Sequence, residues 1–331
     1  MAHALDFQTG LPAIAFTGET PWHGLGFRID CNASLEEWQK AAQLDWMVKT
    51  APVEWTDKDT TSAMGKERVH QAPNRHVLYR SDTKHLLNVV SGKYNVVQPR
   101  EILEFYRDLI KDSLFTMETA GSLKDGGKIW AMAKAKRPIR VRGVDVTVPY
   151  LLLATSTDGT LSTTGKFVAE RVVCHNTLTM AMSEATARQV KVPHHATFDP
   201  MKMKKQLGVI EAVGEEYERN ANKMAGIKLK KDDAIRFFVS LFCDDGEEAV
   251  IDLAAPTQNK VGQLYYLYKN GPGHDLVSAN DTVWGAVNAV TRFVDYVTTS
   301  RSQDNRLNSA WFGAGDKLKT AAFDEAVKMA A

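Results

Sequence analysis

The chain has little of what marks a specialised protein. Among 331 residues there are three cysteines, Cys31, Cys174 and Cys243. They are widely separated and form no CxxC pair, so a disulfide scaffold is not expected and the usage is that of a reducing cytoplasm. No apolar run reaches the roughly 18–20 residues that span a bilayer. The start, MAHALDFQTGLPAIAF, lacks a basic segment followed by a long apolar core, so no secretory signal is expected. A formal net charge of +1 argues against a strong global field, though it leaves room for local basic patches. There is no G-x-S-x-G, P-loop, HExxH or dinucleotide fingerprint, which removes the best-marked enzyme classes. What is present is 44% hydrophobic and 24% charged, the composition of a globular protein able to bury one large core or two ordinary ones. A soluble intracellular protein, without cofactor, metal or membrane contact, is the expectation.

The first half reads as strands. Trp46 to Trp55, Arg75 to Arg80, Leu86 to Val90, Tyr94 to Val97, Phe115 to Ala120, Ile129 to Ala135 and Val144 to Leu153 have strand-like composition. Helices interrupt them. Ser34-Leu35-Glu36-Glu37 has the spacing of a capping box, and Gln98-Pro99 opens an amphipathic segment through Ile110. The stretch 145–190 stands out. Tyr150 to Ala154 and Phe167 to Cys174 read as strands around a Ser156-Thr157-Asp158-Gly159-Thr160 turn. There the pattern changes, and Asn176 or Thr177 is placed to cap a helix through Met180, Met182 and Ala187. Such an N-terminus offers free N–H groups to an anion. Beyond it, helices are expected over Met201 to Ala225, from Ala234, over Gln258 to Lys269, after the Asn280-Asp281-Thr282 cap, and over Ala314 to Met329.

Charge is local rather than global. Residues 124–142 carry Lys124, Lys128, Lys134, Lys136, Arg137, Arg140 and Arg142 against one acid, Asp125. A second biased stretch includes Arg188, Lys191, Lys202, Lys204 and Lys205. Lysine also protects sheet edges from aggregation, but the first stretch exceeds that need and predicts phosphate contact. Trp130, Tyr150, Phe167 and the Tyr265-Tyr266-Tyr268 group lie near basic residues and are candidates for stacking bases. A competing site is a small-ligand or hydrolase centre. It would use Trp22 and His23 in the loop GETPWHGLGF, with Arg171 for an anion, His175 for proton transfer, and Asn176 and Thr177 for orientation. The plainer role for Trp22 is to fill the core. Cys174, His175, His194 and His195 are close in sequence, yet adjacent residues on a strand point to opposite faces, so a closed metal site is not expected.

Several of these pieces together resemble a family of uncharacterised phage- and plasmid-like proteins carrying a domain of unknown function. They are ETPWHGLG (19–26), KYNVVQPREILEF (93–105), the Ser156-Thr157-Asp158-Gly159 turn, RVVCHNTL (171–178) and DNRLNSAWFGAGDKLKTAAFDEA (304–326). The resemblance implies a mobile-element origin and a bacterial host cell, and supplies no catalytic residues. It also implies histidine at position 157, where this chain has Thr157, which argues against catalysis.

The fold expected is α+β, with a β-rich, largely antiparallel half over 1–176 and a helical half over 177–331 packed on it. The function expected is a DNA-binding accessory protein of a phage or plasmid, binding or annealing single-stranded DNA, and a homo-oligomer is compatible with it. The alternatives are the small-ligand or hydrolase site above, and a scaffolding or anti-defence protein acting through protein contacts.

Overall fold

Segments rich in Val, Ile and aromatic residues pair into two sheets. The structure is a computed structural model that describes residues 5–18, 25–58, 67–112, 114–171, 176–179, 189–207, 210–243, 254–298, 309–310 and 313–331. The smaller sheet is β3 (Val48–Lys58), β4 (Glu67–Arg80) and β5 (Leu86–Ser91), in that order. The larger is built from β1 (Ile14–Phe16), β2 (Phe27–Arg28), β6 (Phe115–Leu123), β7 (Lys128–Ala135), β9 (Asp145–Ser156), β10 (Thr163–Arg171) and β11 (Asn176–Thr179). Its order is β11-β10-β9-β7-β6-β1-β2, with β8 (Ile139–Val141) on β9 and β12 (Gln189–Val192) on β10. Among the described residues every pairing is antiparallel except β1 with β2. Pro149 sits in β9 where the β7 pairing ends at Tyr150 and the β8 pairing begins at Thr147. Its missing N–H therefore interrupts no ladder on that side.

Alternation along the central strands decides how the sheet is covered. Ile129, Ala131, Leu151, Leu153, Phe167 and Ala169 point into one apolar cluster that also holds Trp38, Tyr217, Trp284 and Phe323. Strands and helices thus share that cluster. The intervening residues Trp130, Leu152 and Ala154 point the other way, against Leu25, Val294, Ala310 and Leu318. Both faces of the sheet are buried, and each large side chain so enclosed contributes roughly 1.5–3 kcal/mol.

The helices are α1 (Leu35–Ala41), α2 (Pro99–Glu104), α3 (Arg107–Lys111), α4 (Pro200–Gln206), α5 (Ile210–Met224), α6 (Lys231–Ser240), α7 (Ala255–Asn270), α8 (Val283–Arg292) and α9 (Ala314–Met329). Ser34 and Glu37 form the expected capping box on α1, and Thr282 caps α8 by accepting from Gly285 N–H. A strand-rich first part and helical second part give the α+β class.

Local expectations fail in four places. Asn176 and Thr177 do not open a helix; they pair with Arg171 and Glu170 as part of β11. Strand structure then returns at β12, so helix predominates only after Val192. Tyr94 to Val97 is irregular, and the Tyr94 ring stacks on His194 at 4.3 Å between centroids. The segment from Pro99 is two short helices broken at Phe105-Tyr106, where the buried Tyr106 hydroxyl donates to the carbonyls of Ala131 and Leu151. Residues 180–187 of the expected helix lie outside the described residues.

Candidate functional site

Helix α5 is two-faced. Tyr217, Ala221 and Met224 are buried at helical spacing, which leaves Glu215, Glu218, Arg219, Asn222 and Lys223 on the opposite side. The turn from β8 into β9 docks against that polar side through its backbone. Arg142 N–H donates to Asn222 Oδ1 at 2.8 Å, Asn222 Nδ2 donates to the Arg140 carbonyl at 3.3 Å, and Arg140 N–H donates to Glu218 Oε1 at 3.4 Å. Arg142 adopts a left-handed backbone (φ 52°) and Gly143 follows at φ 75°, the turn geometry that brings the strand back. Because backbone groups make these docking bonds, the arginine side chains are not consumed by them.

The result is an open groove of about 750 Å³ lined by Arg137, Arg142, Arg219 and Lys223, with Glu215 and Glu218 between them. Four cations face two carboxylates. Arg137 is 72% exposed and stands 3.8 Å from Glu215 and 3.9 Å from Glu218, long and solvated pairs of small net strength. Arg219 and Lys223 were not among the sequence candidates. Their signal was available in the polar stripe Glu215-Glu218-Arg219-Asn222-Lys223, opposite the apolar one.

The remaining members of the 124–142 stretch are dispersed. Lys124 and Lys128 lie at one end of β7 and Lys134 near the other, six residues or about 20 Å along the strand. Lys128 is only 7% exposed. Burial holds its amine below the ordinary lysine range, Lys124 adds repulsion, and Asp158 partly offsets both. Lys134 is half-buried, whereas Lys136 and Arg140 are exposed. Lys191 is exposed on β12, and Arg188 lies outside the described residues. Of the expected stacking aromatics, Tyr266 is 65% exposed and Tyr265 half-buried on α7, but Trp130, Tyr150, Phe167 and Tyr268 are buried, each at 6% exposure or less. They sit on strands and helices whose faces are covered, which sequence proximity to a basic residue does not reveal.

For the competing site, Trp22, His23 and His175 lie outside the described residues, as does Cys174. Arg171, Asn176 and Thr177 are held in the β10–β11 ladder, so the helix N-terminus that would receive an anion is not there. Thr157 is 2% exposed; its hydroxyl donates to the Gly126 carbonyl and its N–H to the Gly127 carbonyl, both at 2.9 Å. It ties the β9 end to the β6–β7 turn. On the Leu152 face of the sheet, opposite Leu152 in register, Lys166 is buried with its Nζ 2.8 Å from Asp316 Oδ1. Burial lowers this amine to about 8, against the opposing pull of Asp316. Lys319 is similarly enclosed, 3.2 Å from Asp295. Among the described residues, no three or more His, Cys, Asp or Glu side chains are grouped as metal ligands, and no helix is long and apolar enough to cross a membrane.

Residues 86–311 match the model of a family described as a Domain of unknown function (DUF932). The match takes in β5 through Trp311 and so includes every lining residue of the groove. No curated protein and no solved structure matches the chain.

Proposed function

The chain belongs to the DUF932 family, and on that footing we propose that it binds nucleic acid, single-stranded DNA foremost, through phosphate contacts in the groove between α5 and the β8–β9 turn. The observation that carries this reading is the convergence of Arg137, Arg142, Arg219 and Lys223 from two separate parts of the chain on one open groove. Guanidinium groups suit phosphate because their planar donors engage two oxygens at once. Among the described residues no aromatic side chain lines the groove, so the contacts are to the backbone and carry no base preference. A phage- or plasmid-borne accessory role in replication or recombination belongs to the same proposal. A small-ligand centre on the Leu152 face has less support, since the buried amines of Lys166 and Lys319 each already face a carboxylate.

The test is a titration of single-stranded DNA at several salt concentrations. Four phosphate contacts give a slope of log affinity against log salt of about −3. Arg137→Ala and Arg219→Ala each flatten it. Absent binding, or binding indifferent to salt, overturns the proposal.

A further inference from the structure

The two carboxylates in the groove invite a question that its cations do not answer. A site that only collects phosphate has no use for acids among its arginines. Glu215 and Glu218 nevertheless lie one helical turn apart on α5, both within reach of the Arg137 guanidinium. Their situations differ. Glu218 is 30% exposed and also accepts the Arg140 N–H, so it helps hold the β8–β9 turn. Glu215 is 54% exposed and faces the Arg137 guanidinium at 3.8 Å. It takes no part in docking the turn.

We infer that Glu215 acts as an internal competitor for Arg137, tuning the groove to extended polyanions and against single phosphate groups; the inference rests on the nucleic-acid reading above. Two long, solvated pairs at 3.8 and 3.9 Å hold the Arg137 guanidinium only weakly, so giving them up costs little. An incoming phosphate that displaces them gains one stronger bidentate contact. It also meets the negative charge left behind by Glu215, so a lone phosphate gains little. A strand that engages Arg142, Arg219 and Lys223 at the same time spreads that repulsion over several contacts and still binds. The acids thus set a threshold in the number of linked phosphates, which is how specificity arises from an unfavourable element placed among favourable ones. Ordinary cellular phosphate then leaves the groove open to a nucleic-acid strand.

The experiment compares wild type, Glu215→Gln and Arg137→Ala with two probes, a short oligothymidylate and inorganic phosphate as its competitor. The glutamine keeps the size of an exposed side chain, and unchanged thermal unfolding confirms that the fold is intact. Oligothymidylate is expected to bind Glu215→Gln about two- to fivefold more tightly than wild type, the range of an exposed ion pair. Inorganic phosphate displaces the strand from Glu215→Gln at lower concentration than from wild type. If Arg137→Ala weakens binding but Glu215→Gln binds the strand no more tightly, the competitor role is wrong while the nucleic-acid reading stands. Equal displacement by phosphate in wild type and Glu215→Gln also overturns the threshold. If wild type does not bind the strand at all, both fall together.

Discussion

The Lys166 Nζ on β10 lies 2.8 Å from Asp316 Oδ1 in the first turn of α9, and 2% of the lysine side chain is exposed. A charged amine in that position is expensive, because the sheet and α9 exclude the water that would solvate it. The folded protein holds the proton less tightly than the unfolded chain does, at about 8 against an ordinary 10.5. Between those values the unfolded state binds more protons, so this group's contribution to stability rises with pH across the window and is lost as pH falls through about 8. Its full span is roughly 3 kcal/mol. Urea unfolding of wild type and Lys166→Met at pH 8 and pH 10 should show wild type gaining on the variant at the higher pH. A constant difference would mean that the amine is not strained by burial.

Arg80 is fully buried. It pairs with Asp6 and with Asp82, and its guanidinium carbon stands 4.2 Å above the Trp46 ring. Asp6 is itself 1% exposed and also accepts from the Ser122 hydroxyl at 2.8 Å and the Gln8 N–H at 2.9 Å. Replacing Arg80 by Leu would leave that carboxylate enclosed without its cation, a loss of about 3–5 kcal/mol. The midpoint of urea unfolding should fall accordingly. A loss below about 1 kcal/mol would show the pair to be no stronger than an exposed one.

Two glycines in helices should respond oppositely to alanine. A Cβ added at Gly262 in α7 meets nothing within 4 Å, whereas one added at Gly285 in α8 would stand 2.0 Å from the Ala279 carbonyl oxygen. Gly262→Ala therefore removes backbone freedom from the unfolded chain at no cost to the fold, and should stabilise by about 0.5–1 kcal/mol. Gly285→Ala must push α8 off the turn before it, so thermal unfolding should shift downward by many degrees. Matching shifts for the two would contradict this packing.

Lys128 and Arg137 belong to the same basic stretch and should behave differently. Lys128 is 7% exposed at the far end of β7 from the groove, and Arg137 is 72% exposed in it. Lys128→Met should leave single-strand affinity and its salt slope unchanged. A loss as large as that of Arg137→Ala would place the binding surface at the other end of the strand.

These contrasts show what the sequence could and could not convey. Local signals survived where the partner is also local. Ser34 and Glu37 cap α1 from three residues apart, Thr282 caps α8, and α9 runs from Ala314 to Met329 as expected. The signal at Asn176-Thr177 was lost because β10 offers a long free edge, and pairing along that edge outweighs a single cap. The groove was half legible. A charge count found Arg137 and Arg142, but joining them to Arg219 and Lys223 depends on Asn222 gripping a turn eighty residues earlier in the chain. The buried aromatics misled for the same reason, since composition does not tell which strands are covered on both faces.

On the side away from β9, β10 pairs with two separate strands, β11 against Val168–Arg171 and β12 against Thr163–Lys166. Each part is held by its own register, so this side of β10 is closed by two separate ladders, and a substitution that breaks one leaves the other covering its half of the edge.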